Sequence, residues 1–204
     1  MKKLDKSFYL QDTLTVAKEL LGKYLYICMD TTPMIGRIVE TEAYIGPDDK
    51  ACHAYNGRRT SRTEVMYMSG GHAYIYQIYG MYFCLNIVTE DNTAGTAVLI
   101  RGLEPIGGME QMAENRYNKE WDQLSVKEIK NLTNGPGKLC KALNIDKKYN
   151  GKDLLGKEIY ICEWDKTDKF VISSGKRINI GYAEEYKDVN WRFFIENNSY
   201  VSKK

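Results

Sequence analysis

Residues 72–88 read HAYIYQIYGMYFCLNIV. Two β-rich runs, 72–78 and 82–88, flank Tyr79-Gly80-Met81. A Tyr-Gly pair between such runs predicts a β-hairpin with its tip at Tyr79 and Gly80. Two antiparallel strands are thereby placed, and the neighbouring segments extend them. Downstream, AVLIRGLE (97–104) reads as a strand; upstream, KYLYICM (23–29) and MIGRIVETEAY (34–44) read as two more. Residues 45–63 carry Gly, Pro, Asp and Asn and read mostly as loop. In DTLTVAKELL (12–21), Asp12 can cap a first turn, Leu14, Ala17, Leu20 and Leu21 recur at helical spacing, and Gly22 can end the helix. Residues 107–116 and 125–131 read as further helices. Asn134-Gly135-Pro136-Gly137 precedes a short helix, KLCKALNI (138–145), whose start leaves backbone N–H groups exposed. The tail, 158–201, returns to strands in EIYICEW, KFVISS, RINIG and WRFFIE. Strands and helices mix without βαβ alternation. The expected architecture is α+β: a single domain over residues 1–204, a mostly antiparallel β-sheet core, surrounding helices and a protruding β-hairpin.

Composition narrows the function classes. A chain of 204 residues at 43% hydrophobic content can bury a full core and is not wholesale disordered. No apolar run approaches the ~18 residues that span a bilayer. The opening MKKLDKSFYLQD has charges where a signal peptide needs an apolar stretch. A soluble, non-secreted protein is expected: cytoplasmic or nucleoid-associated in a prokaryote, nuclear in a eukaryote. Five widely spaced cysteines without C-x-x-C read as free thiols, and two histidines are too few for a histidine-rich metal site. The 29 basic and 27 acidic residues argue against a highly basic coat protein or an acidic disordered chain. Positive charge is local: Arg58, Arg59 and Arg62 fall in NGRRTSR, and residues 127–152 hold seven lysines against two acids. The first of these is a plausible phosphate-contact loop. No G-x-G-x-x-G, Walker A, H-E-x-x-H or G-x-S-x-G occurs.

The strand GRIVETEAY aligns Ile38, Glu40, Glu42 and Tyr44 on one face. Two readings are open for its Glu-x-Glu pair: solvated glutamates on an exposed face, or a carboxylate at a pocket wall available as a general base. Tyr44 favours the pocket, since an aromatic plane beside a carboxylate can stack a flat substrate. Glu40 shares the face but lies ~6–7 Å along the strand, too far to reach the same water. His53 follows in the polar loop, and Tyr79, at the hairpin tip, suits insertion between bases.

These residues carry a resemblance. RIVETEAYIGPDDKACHA (37–54), IYGMYFCLN (78–86), VLIRGLEP (98–105) and NGPGKLCKALNI (134–145), in that order, resemble the alkyladenine (3-methyladenine) DNA glycosylase family. The similarity runs from about residue 8 to residue 202 and includes RINIGYA (177–183) and WRFFI…VS. Residues 109–131 match none of the family's wording, and 89–96 is slightly longer than the family's loop. The resemblance implies excision of alkylated or deaminated purines (3-methyladenine, 7-methylguanine, hypoxanthine) from double-stranded DNA by cleavage of the N-glycosidic bond. It implies Glu42 as the base that activates water, Tyr44 and Tyr76 as stacking residues, and His53 against the flipped nucleotide. It further implies Tyr79 as the side chain filling the gap in the DNA, and Asn86 as the obstacle to a guanine 2-amino group. Arg101 and Lys138 match positions near DNA phosphates, and Arg58, Thr60 and Met66 match DNA-surface positions. A monofunctional enzyme without metal or cofactor is expected. One copy suffices for one lesion, so a monomer is expected, with no membrane partner. The competing readings are a non-catalytic DNA-binding module, in which Glu42 has no purpose, and a free-nucleoside hydrolase, in which Tyr79 has none.

Overall fold

The hairpin forms as the Tyr-Gly pair predicts. Ala73–Ile78 and Tyr82–Val88 pair antiparallel, from Ala73↔Ile87 to Ile78↔Tyr82. Tyr79 and Gly80 take φ of 51° and 69°, the left-handed values a tight hairpin turn requires. The computed structural model describes residues 1–29, 32–91, 94–164 and 169–203. In chain order its strands are β1 (Lys2–Lys3), β2 (Tyr24–Met29), β3 (Thr32–Ile45), β4 (Ala73–Ile78), β5 (Tyr82–Val88), β6 (Thr96–Gly107), β7 (Ile159–Glu163), β8 (Ile172–Gly175) and β9 (Arg192–Ile195). The helices are α1 (Lys6–Tyr9), α2 (Thr13–Glu19), α3 (Met109–Tyr117), α4 (Val126–Lys130) and α5 (Pro136–Ala142). All the strand pairings described are antiparallel, in the order β1-β7-β2-β3-β6-β5-β4, with β9 joining β3 and β8 joining β9. The expected α+β architecture is the one observed.

β3 is the spine of the sheet. Its first half pairs with β2, and at Glu40–Glu42 β9 takes over that edge, while β6 runs along the other side. Residues 38–43 are buried on both faces. One face packs on α2: the Thr41 hydroxyl donates to the Ala17 carbonyl at 2.7 Å, beside Val16, Ala17 and Leu20. α2 begins where Asp12 predicts, its carboxylate accepting from the backbone N–H of Leu14 and Thr15. The opposite face carries Glu40 and Glu42, both fully buried, so the exposed-face reading of the pair is overturned. α5 starts at Pro136, two residues before the predicted helix. At Gly137 a Cβ would meet Tyr82 Cβ at 3.0 Å, so the glycine lets α5 approach the turn end of the hairpin.

The tail departs from expectation. RINIG is a loop, not a strand, and KFVISS is strand only from Ile172. The reason is that the polar groups of 177–178 face buried carboxylates instead of a neighbouring strand. Arg177 clasps Asp49, with Nη2–Oδ1 at 2.8 Å, and the Ile178 N–H donates to Glu42 Oε1 at 2.7 Å. β1 and α1 were not anticipated. Of the loop 89–96, Asn92 and Thr93 lie outside the described residues. None of the five cysteines is in a disulfide. No helix among the described residues is long and apolar enough to cross a membrane.

Candidate active site

A cavity of about 730 Å³ opens between β3, the β4–β5 hairpin, the start of α5 and the 178–182 loop. Tyr44, His53, Tyr76, Asn86, Arg101 and Lys138 stand in its wall, and Tyr79 stands at its edge. Residues from sequence positions 44 to 138 thus meet at one cavity. Tyr79 is 79% exposed, as the hairpin tip implies.

Glu42 lies one layer behind this wall. Its carboxylate has three donors: the Tyr44 hydroxyl at 2.8 Å and Arg101 Nη1 at 3.2 Å on Oε2, and the Ile178 N–H at 2.7 Å on Oε1. All three donor residues line the cavity. Burial raises the proton affinity of Glu42, while the Arg101 charge, the Ile178 N–H and the Tyr44 hydroxyl oppose it. The Tyr44 phenol is itself pushed well above its ordinary pKa, first by burial and then by Glu42, so it stays a neutral donor. The Arg177 guanidinium lies over its ring at 4.8 Å.

The loop carrying His53 is anchored by Asp49, fully buried, whose oxygens accept from the N–H groups of Ile45 (3.1 Å) and Ala51 (2.9 Å) and from Arg177. His53 Nδ1 bonds the Tyr74 hydroxyl at 2.9 Å, and its ring meets Tyr76 edge-on at 4.6 Å between centroids. Arg62 approaches His53 Nε2 at 3.5 Å and lies over Tyr76 at 5.2 Å. An arginine can only donate, so Nε2 is the unprotonated nitrogen and Nδ1–H donates to Tyr74. Burial first, then the charges of Arg62 and Arg58, push the imidazole down to about 4. Asn86 is opposite Tyr74 in the hairpin and anchors its amide nitrogen on the Tyr74 carbonyl at 3.1 Å.

Two of the residues matched to DNA contacts, Arg101 and Met66, are buried side chains of the cavity lining. Arg101 is only 7% exposed, because Glu40 and Glu42 take its guanidinium inward. Met66 is buried among Cys52, Ala54, Tyr74 and Val88, where its apolar thioether forms part of the cavity lining. Arg58 and Thr60 are exposed on the loop beyond His53. Arg59 is engaged by Glu64 at 2.6 Å. Lys138 donates to the side-chain carbonyls of Asn131 and Asn134, each at 2.7 Å, and burial, then Arg116, lowers its pKa. Among the described residues, no group of three or more His, Cys, Asp or Glu side chains is placed to hold a metal.

Ile178, Tyr182 and Arg116 also line the cavity and were not singled out from the sequence. Arg116 lies in the segment without recognised wording. Ile178 and Tyr182 lie in RINIGYA, whose β-like composition hides a loop. The wording resembles the family, but nothing in its spacing points to Glu42.

Known proteins were compared with this chain. It is 52% identical over 204 residues to a Clostridium novyi (strain NT) protein named "Putative 3-methyladenine DNA glycosylase", covering all of both chains. Proteins of the same name from Desulfitobacterium hafniense (strain Y51) and Alkaliphilus oremlandii (strain OhILAs) are 50% and 52% identical. The match covers all of both chains in the first case, and 99% of this chain and all of the relative in the second. The family model described as Methylpurine-DNA glycosylase (MPG) matches residues 7–199. With that span and those identities, the chain belongs to the methylpurine-DNA glycosylase family.

Proposed function

We propose that this DNA glycosylase, a hydrolase of N-glycosyl bonds, turns an alkylated or deaminated purine out of duplex DNA and cleaves it from its sugar with a Glu42-activated water. The observation that carries the reading is a buried carboxylate whose three donors form the wall of a cavity large enough for a purine nucleotide. An N-glycosidic bond inside a stacked duplex is out of reach, so the nucleotide has to leave the helix, at a cost of a few kcal/mol. Tyr79, rigid on its turn and exposed, fills the space left behind. Tyr44, Tyr76 and His53 enclose the extruded base, with stacking worth ~1–3 kcal/mol per base.

In the reaction the bond from C1′ to the purine nitrogen breaks and the bonding pair leaves with the base. C1′ acquires oxocarbenium character, which the Glu42 charge stabilises. Water attacks C1′, its proton passes to Glu42, and an abasic site remains. A carboxylate offers about four acceptor positions, and three are occupied here, which leaves one acceptor position for a water. Burial raises the proton affinity of the base while Arg101 opposes loss of its ionised form, the balance general base catalysis needs near neutral pH. A 3-methyladenine or 7-methylguanine base is already cationic and departs neutral. Direct attack by water needs no covalent lysine, so the enzyme is monofunctional. It works as a monomer on chromosomal DNA in the cytoplasm, in keeping with the bacterial sources of its relatives.

The test is a lesion panel in duplex oligonucleotides. Base release by the wild type, lost in Glu42→Gln with duplex binding kept, supports the reading; full activity in Glu42→Gln refutes it. Borohydride trapping of an enzyme–DNA adduct would refute the monofunctional assignment.

A further inference from the structure

Glu40 is buried as deeply as Glu42 and, like Glu42, lies outside the cavity lining. Its Oε1 accepts from Arg101 Nε at 3.2 Å, Arg192 Nη1 at 3.0 Å and the Ser202 hydroxyl at 3.0 Å, and its Oε2 accepts from the Ser202 N–H at 2.6 Å. Arg101 is therefore held on two edges. Nε meets Glu40, Nη2 donates to the Ser202 hydroxyl at 3.3 Å, and Nη1 points at Glu42. The backbone is shaped for this. β3 pairs Ile38 with Leu103, Glu40 with Gly102 and Thr41 with Ile100, so Val39 and Arg101 fall at register shifts between paired neighbours. A bulge of this kind re-aims a side chain. Gly102 lets the tail approach, since a Cβ there would lie 2.6 Å from the Tyr200 carbonyl oxygen. The tail is docked by Asn198 on Glu104 at 3.0 Å, by buried Val201 and by the Lys203 carbonyl on Arg192 at 3.0 Å.

We propose that Glu40 and Ser202 are positioning residues for the hydrolysis, gripping two edges of the Arg101 guanidinium so that Nη1 alone reaches Glu42. The proposal rests on Glu42 being the base. A guanidinium freed at Nε can turn to face a carboxylate with two parallel N–H groups, the arrangement such pairs favour. Glu42 would then be closed to water and held ionised more tightly, which weakens it as a base. The other groups facing Glu42 are already committed. Tyr44, Tyr76 and Cys84 are kept neutral by burial, Arg177 is clasped by Asp49, and Arg192 is bound by Glu40 and by the Lys176 and Lys203 carbonyls. Arg101 is the group left to respond when Glu40 is changed.

The experiment measures single-turnover base release and duplex affinity from pH 5 to 9 for Glu40→Gln, Ser202→Ala and each combined with Glu42→Gln, with thermal melting as the folding control. Glu40→Gln is expected to slow base release on the order of 10- to 100-fold, the scale of a misplaced catalytic group. Its acid limb moves to lower pH and its duplex affinity holds. Ser202→Ala slows the reaction less and leaves the acid limb in place, because the Glu40 charge remains. Neither change lowers the residual rate of Glu42→Gln further. Should Glu40→Gln fail to fold, Ser202→Ala and Glu40→Asp carry the test. Folded variants with wild-type rates and pH profiles, on an enzyme that Glu42→Gln inactivates, overturn this proposal alone. Full activity in Glu42→Gln brings down the base assignment and this proposal with it.

Discussion

Asp49→Asn tests how the loop behind the cavity is held. The Asp49 carboxylate meets four donors, two from Arg177 and the N–H groups of Ile45 and Ala51, and both side chains of the ion pair are fully buried. An asparagine keeps one oxygen and turns an NH2 group toward donors. The guanidinium then loses its counter-charge, and at least one donor faces another donor. Leaving one partner of a buried pair unmatched costs about 3–5 kcal/mol, against the 5–15 kcal/mol that holds a typical domain together. Equilibrium urea unfolding measures it. Trp191 stacks on Arg177 at 5.0 Å, so tryptophan fluorescence reports on the altered site itself. Base release should fall as well, because Arg177 precedes the Ile178 N–H that holds Glu42. Combining Asp49→Asn with Arg177→Met removes the orphaned charge and should recover part of the loss. A loss below about 1 kcal/mol for Asp49→Asn, at unchanged urea dependence, would refute the reasoning, since it would put the pair in the range of a surface contact.

Two further outcomes follow from the geometry. His53, held down to about 4 by burial and neighbouring arginines, should remain neutral from pH 8 to pH 5 in an NMR titration. Between about 6.5 and 4 the unfolded chain binds the proton and the folded one does not, so this group makes stability fall as pH drops through that window. His53→Gln should flatten that slope, and an unchanged slope would reject the assignment. Tyr79→Ser should leave the unfolding free energy within about 0.5 kcal/mol, as for other exposed positions. It should nonetheless weaken base extrusion, read as a smaller 2-aminopurine fluorescence rise beside the lesion.

The elements visible in the sequence are those whose cause is local. Tyr79-Gly80 turns the hairpin and Asp12 caps α2, each within a few residues of what it acts on. The alternation in GRIVETEAY placed Glu40, Glu42 and Tyr44 on one face, yet could not say whether that face was wet. The groups that cover it, from Arg101, Ile178, Arg192 and Ser202, lie 59 to 162 residues downstream. RINIG has strand-forming residues, and only Asp49, 128 residues away, shows why it stays a loop. Arg101 matches a position near DNA phosphates and Met66 a DNA-surface position, each through the resemblance. Burial of one between two carboxylates and of the other in an apolar cluster follows from partners that no local spacing encodes.

The three donors on Glu42 come from residues 44, 101 and 178, so the chemical constellation is closed by contacts across most of the chain. Contacts of such sequence separation carry a large loop-closure entropy and form late when a chain folds. A half-folded chain can display an exposed tyrosine or a basic loop, but it cannot assemble the three donors around the buried Glu42 carboxylate. With Glu42 as the base proposed above, a chain still unfinished on the ribosome would lack base-releasing activity. The capacity to break a bond belongs to the finished fold alone.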